Sequence, residues 1–314
     1  MRSLITGAAG QDGTLLARLL RDRGDVVLGV DRISDPSRGI IAVDLRDDRA
    51  LERAVRDAEP DRIFHLAACH HSADEGDTIG SEREMLATNF RSTGVLATTI
   101  AQHLPRCRLL YAGSSQMYSG GDGPLVVDEN TPMRPGTFYG LTKAWSRELL
   151  AYHRQHHGVY CGTVILFNHE STLRSPNFVT RKITLCAAQA RVTGSADLKL
   201  RDLEAECDWS SAEDVVAGMV TAISAAEPRD YVVASGTLHR VRDVLDVAFG
   251  AVDLSWRDYL ATPGAVRPDA ERSRALVGDA SRLRDAGWEP KVGFADMIRS
   301  MVEADVAALS AGNN

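Results

Sequence analysis

The sequence predicts an α/β protein with a Rossmann-type doubly wound parallel sheet and a smaller, discontinuous substrate-binding domain. Three observations carry this reading. Short β-branched runs alternate with amphipathic segments through the first half of the chain. The first run passes into a glycine-rich turn and then a helical pattern. Loops rich in Gly and Pro, "SGGDGP" at 119–124 and "TPMRPG" at 131–136, fall just beyond later runs, on the edge where open α/β sheets bind ligands.

Taken in order, strands are expected at 4–6, 26–30, 63–66, 109–112 and 164–167, with helices at 14–23, 47–58, 82–103 and 139–157. Residues 1–168 should form the dinucleotide-binding domain, to which 209–236 returns. Residues 169–208, less regular, and 237–314 should supply the substrate part. Composition fits a globular protein able to bury a full core: 314 residues, 44% hydrophobic and 25% charged. The net charge of −7, without a long basic run, argues against a nucleic-acid partner. No apolar stretch approaches the roughly 20 residues that span a bilayer. Five separated cysteines without a C-x-x-C pair favour free thiols and a cytoplasmic location.

"LITGAAGQDG" sets Gly7, Gly10 and Gly13 between an apolar strand and a helix. That spacing lets the backbone turn tightly against a pyrophosphate placed on the helix N-terminus, with Gln11 and Asp12 in the same turn. Asp31 ends the second strand about 20 residues further on, where a carboxylate accepts the ribose hydroxyls of NAD and repels the extra phosphate of NADP. Arg32 follows it. Asp44 and Leu45 fit either a flank of the adenine or, for Asp44, an ordinary position ahead of a helix, and Leu66 and Ala67 of "HLAA" complete the expected cofactor set.

"FYGLTKAW" places Tyr139 and Lys143 one helical turn apart on one face. A phenol with a pKa near ~10 must drop by several units to act as a base near neutrality. An adjacent ammonium and a positively charged nicotinamide both favour the phenolate, which is the chemical sense of the spacing.

With these motifs in place, the chain resembles extended short-chain dehydrogenases/reductases acting on nucleotide sugars, most closely GDP-mannose 4,6-dehydratases. The resemblance runs through "TGAAGQDG", "HLAA" at His65, "SSQMY", "YGLTK", "ILFNHES", "FVTRKIT", "DWSSAEDVV", "DYVVASG" and "VGDASRLRDAGWEP". It implies that Tyr139, supported by Lys143, takes the proton of the sugar 4-hydroxyl while a hydride leaves C4. It makes Ser114 the hydroxyl that shares the 4-oxygen, with Ser115 and Gln116 beside the sugar. Asn168 is implied at the substrate diphosphate, Val179 and Lys182 at the nucleotide, and Arg242 and Arg267 around diphosphate and ribose, where a guanidinium fork suits phosphate.

Three departures bear on function. Gln116 stands where the family carries the glutamate that removes the C5 proton, and an amide is no base at neutral pH. Cys207 replaces an arginine. The segment after Asp31, "RISDPSRG", is short and lacks the family's double arginine, which favours NAD over NADP and a homodimer over a tetramer. Cys69, His70 and His71 lie in the loop after 63–66 as possible replacement bases, though three adjacent residues cannot all enter one pocket. Their spacing matches no common zinc site, so no metal is expected. His153, His156 and His157 are read as an exposed helix end.

With the oxidation machinery present and the elimination base missing, the sequence points first to an NAD-dependent GDP-sugar 4-epimerase. The alternative is a GDP-sugar 4,6-dehydratase with a substitute base. A non-catalytic NAD sensor is disfavoured, since it has no need of Tyr139 and Lys143.

Overall fold

The computed structural model describes residues 1–70, 78–261 and 274–312. Seven strands form one sheet: β1 (Arg2–Thr6), β2 (Val26–Asp31), β3 (Ile40–Ala42), β4 (Arg62–His65), β5 (Arg108–Ala112), β7 (Cys161–Leu166) and β10 (Tyr231–Val233). Their order is β10-β7-β5-β4-β1-β2-β3, parallel throughout. The chain moves outward through β2 and β3 and then crosses to the far side of β1. This makes the β1/β4 boundary a topological switch point, the place where such sheets open a ligand crevice.

Helices α1 (Gln11–Asp22) and α7 (Ala212–Ser224) cover one face of the sheet; α2 (Asp48–Ala58), α4 (Ser92–His103) and α5 (Phe138–His157) cover the other. The central strands β1, β4, β5 and β7 are buried on both faces, which is why they read as continuous apolar runs rather than as alternation. Local chemistry sets the helix ends. Asp47 caps α2 by accepting from the Ala50 N–H at 3.0 Å, Thr137 caps α5 through Gly140 N–H at 3.0 Å, and Gly158 closes α5 at φ +64°.

The remaining elements build a second cluster beyond the carboxyl edge. Helices α6 (Val179–Thr193), α8 (Val241–Gly250) and α10 (Phe294–Gly312) pack around Trp209 and Phe249, and the short α9 (Ser281–Asp285) precedes α10 in the chain. The strands β8 (Asn168–Glu170), β9 (Glu206–Ser211) and β11 (Leu238–Arg240) form a small sheet, and β6 (Leu125–Val127) pairs with β12 (Leu276–Gly278). Buried Asp208 ties these parts together by accepting from the backbone N–H groups of Ser235, Gly236 and Gly278.

Several expectations are corrected. The helix expected over 82–103 is α3 (Ile79–Met85), a π-helical turn (Leu86–Arg91) and α4. The three-residue β3 was not expected, and the stretch taken as irregular contains the 15-residue α6. His153 is buried against the core, whereas His156 and His157 are exposed. Burial lowers the pKa of His153, with His157 adding to the shift.

Candidate active site

The carboxyl edge gathers the glycine turn after β1, Asp31 at the end of β2, Leu66 to His70 after β4, and Ser114 after β5. Gly7 has φ +74°, and a Cβ there would lie 2.8 Å from the Ala67 backbone. A Cβ on Gly13 would stand 2.3 Å from the Gly7 carbonyl oxygen and 2.6 Å from Ala8 Cα. Only glycine permits both approaches. Asp31 faces this turn, its carboxylate accepting from Ala9 N–H at 2.9 Å and Arg32 N–H at 2.8 Å. A dinucleotide fits this cradle: bare backbone for a diphosphate at the N-terminus of α1, and an anchored carboxylate for ribose hydroxyls. Asp44 forms an ion pair with Arg46 at 2.7 Å, whose hydrogen bonds bring its pKa down to about 2. Leu45 is buried.

The side chains of Gln11 and Asp12 turn toward β8. Gln11 donates to the His169 carbonyl at 3.2 Å and accepts from Ser171 Oγ at 2.9 Å. Asp12 Oδ2 meets His169 Nε2 at 2.9 Å, and His169 Nδ1 meets the Phe167 carbonyl at 2.7 Å. Burial opposes charge on both members of the Asp12–His169 pair. Their mutual attraction and hydrogen bond outweigh it, so Asp12 is held below the usual carboxylate range and His169 above the usual imidazole range. The pair latches the cofactor turn to the strand that begins at Asn168.

Tyr139 lies in the first turn of α5, hydrogen-bonded to Ser114, with Lys143 one turn on. Lys143 is 1% exposed; its Nζ donates to the Ala112 carbonyl at 2.7 Å and lies 5.5 Å from the Tyr139 ring centroid. The lowered phenol expected of Tyr139 needs Lys143 and a positively charged nicotinamide together. Burial pushes Tyr139 up to about 12, against the opposing pull of Ser114 and Arg174, and the same burial brings Lys143 down to about 7. Burial disfavours the charged form of both groups, and a positive charge placed beside them favours the phenolate.

Gln116 sits half-buried in a 3-10 turn (Ser115–Tyr118) that Ser114 caps by accepting from the Gln116 N–H at 3.2 Å. Ser115 is buried in the same turn. The structure separates the residues of the loop after β4. Cys69 feels Glu84, Arg32 and Arg46, and burial raises its thiol pKa. His70 instead meets Tyr139 edge to face, ring centroids 4.5 Å apart, and stacks on Phe178 at 6.0 Å. His71 lies outside the described residues. His65 is structural: held by Thr6 Oγ1 at 2.7 Å and Ser92 Oγ at 3.1 Å, it is pushed by burial down to about 3.

Two further groups escaped the sequence reading. Asn89, fully buried in the π-helical turn, accepts from Cys69 N–H at 2.7 Å and donates to the Cys69 carbonyl at 3.0 Å and Thr142 Oγ1 at 3.1 Å. It thereby clamps the β4 loop to α5, and π turns recur at such sites. Arg174 lies 3.1 Å from the buried Glu170 carboxylate and packs over Phe178 at 3.5 Å. A basic residue four positions after Glu170 was the available signal. Of the remaining expected residues, Asn168 opens β8, Val179 opens α6 with Lys182 one turn along, and Arg242 pairs with Glu204 at the start of α8. Burial pushes Cys207 up to about 12, with Glu170 adding to the shift. Arg267 lies outside the described residues.

The parallel sheet, the glycine turn and the Ser114–Tyr139–Lys143 cluster together define an extended short-chain dehydrogenase/reductase. The family model for GDP-mannose 4,6 dehydratase matches residues 4–301. GDP-mannose 4,6 dehydratase 1 of Arabidopsis thaliana is 33% identical over 97% of this chain and 89% of its own. GDP-mannose 4,6-dehydratase of Sinorhizobium fredii is 31% identical over 98% and 97%. The chain therefore belongs to the GDP-mannose 4,6-dehydratase family. Its fold is shared with UDP-glucose 4-epimerase of Thermus thermophilus, solved with NAD (TM-score 0.81, 24% identity, 98% of this chain and 100% of that one). It is shared equally with dTDP-glucose 4,6-dehydratase of Bacillus anthracis, also with NAD (TM-score 0.81, 15% identity, 96% of each). Among the described residues no helix is long and apolar enough to cross a membrane.

Proposed function

We propose that this protein is an NAD-dependent GDP-sugar 4,6-dehydratase. The observation that carries the reading is the Ser114–Tyr139–Lys143 cluster, set in a chain that its family model matches over residues 4–301. The names of the relatives support GDP-mannose as the substrate to try first.

Bound NAD would supply the hydride acceptor for oxidation at the sugar C4 and the hydride donor for the later reduction. The protein holds it through the backbone of Gly7, Gly10 and Gly13, the Asp31 carboxylate, and the loop at Leu66 and Ala67. Tyr139 takes the proton of the 4-hydroxyl while Ser114 shares the same oxygen. Lys143 anchors beneath them through the Ala112 carbonyl. Asp31 supports NAD over NADP, because its charge faces the ribose site. A 4-ketone acidifies C5, and elimination of water across C5 and C6 then needs a proton acceptor. Gln116 cannot provide it.

That amide favours a second reading, the 4-epimerase, in which the 4-ketose turns over in the site and is reduced from its other face. Product mass and NMR after incubation with GDP-, UDP- and dTDP-sugars separate the two. Loss of one water from GDP-mannose supports the dehydratase; an isomer of unchanged mass replaces it with the epimerase. No conversion of any sugar overturns both. A homodimer belongs to the same proposal, supported by exposed Leu86 and Trp145 on neighbouring helical segments. So does a reducing cytoplasm, supported by five free cysteines.

A further inference from the structure

We propose that His70 is the catalytic acid–base of the elimination, replacing the carboxylate that Gln116 cannot supply; this rests on the dehydratase reading above. The first support is contact. His70 lies edge to face on the Tyr139 ring, centroids 4.5 Å apart and planes at 86°, with Phe178 stacked behind it at 6.0 Å and 20°. A hexose that places O4 on the Tyr139 hydroxyl carries C5 and C6 one and two carbons further on. That span lies within reach of a side chain in contact with the phenol ring. The loop position is not left to chance, because Asn89 holds the preceding residue by both its N–H and its carbonyl.

The second support is elimination of the competing groups. Cys69 sits in the field of Glu84, Arg32 and Arg46, and its thiol is made a weaker acid by burial. Burial makes Cys207 a weak acid as well, at about 12. Glu170 is buried under Arg174. Asp12 is committed to His169, and His65 is enclosed by Thr6 and Ser92. Lys143 is turned to the Ala112 carbonyl. Among the described residues, His70 is the imidazole that touches the catalytic tyrosine.

The step balances without an external reagent. An unprotonated imidazole nitrogen of His70 takes the C5 proton of the 4-keto sugar, and the C5–H electron pair becomes the C5–C6 π bond. The C6–O bond breaks with its pair on oxygen, and that oxygen takes the proton back from His70 and leaves as water. His70 ends as it began, and neither oxidation nor reduction occurs in this step.

The test compares wild type, His70→Ala and His70→Gln in D2O with GDP-mannose and NAD. It reads deuterium entering C5, water loss by mass, and absorbance of the reduced nicotinamide in a single turnover. Both variants should still form the 4-ketose, seen as that absorbance, and still bind NAD. C5 exchange and water loss should fall by about 10²–10⁴-fold, the usual contribution of a general acid–base. Exchange and water loss within threefold of wild type in either NAD-binding variant would overturn the role of His70. If wild type dehydrates and both variants lose NAD binding, C5 exchange and water loss in His70→Asn are read against the same threefold limit. Wild type that forms no 4-ketose, or only an isomer without C5 exchange, removes the dehydratase reading and this step with it.

Discussion

Replacing Gly13 with alanine tests the cofactor cradle most sharply, because the structure fixes what the added methyl would meet. Its Cβ would stand 2.3 Å from the Gly7 carbonyl oxygen, 2.6 Å from Ala8 Cα and 2.9 Å from Ala8 C, all backbone atoms. The turn has little room to yield. On its other side Gly7 already approaches Ala67 so closely that a Cβ there would stand 2.8 Å from the backbone. Overpacking of this kind costs about 1–3 kcal/mol. If the turn must return to its present shape to hold a diphosphate, that cost falls on binding. NAD affinity should then weaken roughly 5- to 150-fold, at 1.4 kcal/mol per factor of ten. Alanine also gains about 1 kcal/mol of helix propensity at this position in α1, so melting temperature should change less than affinity. Isothermal titration with NAD measures the first and thermal denaturation the second. Gly250→Ala, where a Cβ meets nothing within 4 Å, should bind NAD as wild type does. Affinity of Gly13→Ala within twofold of wild type, at unchanged melting temperature, would refute the close-packed cradle.

Tyr139→Phe removes the group that takes the 4-hydroxyl proton; turnover should fall by at least about 10²-fold with NAD binding retained, measured by product formation and titration. Gln116→Glu returns a carboxylate beside Ser114 and should speed water loss, read as product mass against time; no gain would mean that this turn does not face C5. Asp12→Asn breaks the latch to His169 and should cost about 1.5–3 kcal/mol, the range for a hydrogen bond to a charged group. The sign follows from the two shifts. Asp12 is lowered, so its share is present above its ordinary 3.8 and lost as pH falls through the depressed value. His169 is raised, so its share is complete below 6.5 and lost as pH rises through the elevated value. Melting temperatures of wild type and variant should therefore differ most between about pH 4 and 6.5 and converge at higher pH. A constant difference into alkaline pH would contradict the latch.

What could be read from the chain follows from what kind of constraint each feature imposes. Gly7 and Gly13 were legible because a backbone clash admits one residue type, and Tyr139 with Lys143 because helical spacing is a number. Asp31 was legible through its distance from the glycines. The π turn at Asn89 left no such mark, since its residues are ordinary helix residues and the extra backbone slack appears only when α5 packs against them. Strand β3 is three residues long and pairs along one edge only, too short for a pattern. Burial was the other hidden quantity. It holds the Tyr139 phenol up and drew His153 inside. It also divided Cys69 from His70, neighbours that the sequence treated alike. Arg174 and Phe178 come from a segment whose path depends on β8 and α6, and only the folded chain brings them to the tyrosine.

The central claim is oxidation at C4 followed by loss of water across C5 and C6. It is tested most directly with GDP-mannose carrying deuterium at C4. The expected product is a 4-keto sugar lighter by one water, with the deuterium now on C6 and none of it released to solvent. Deuterium retained at C4 in a sugar of unchanged mass would contradict it.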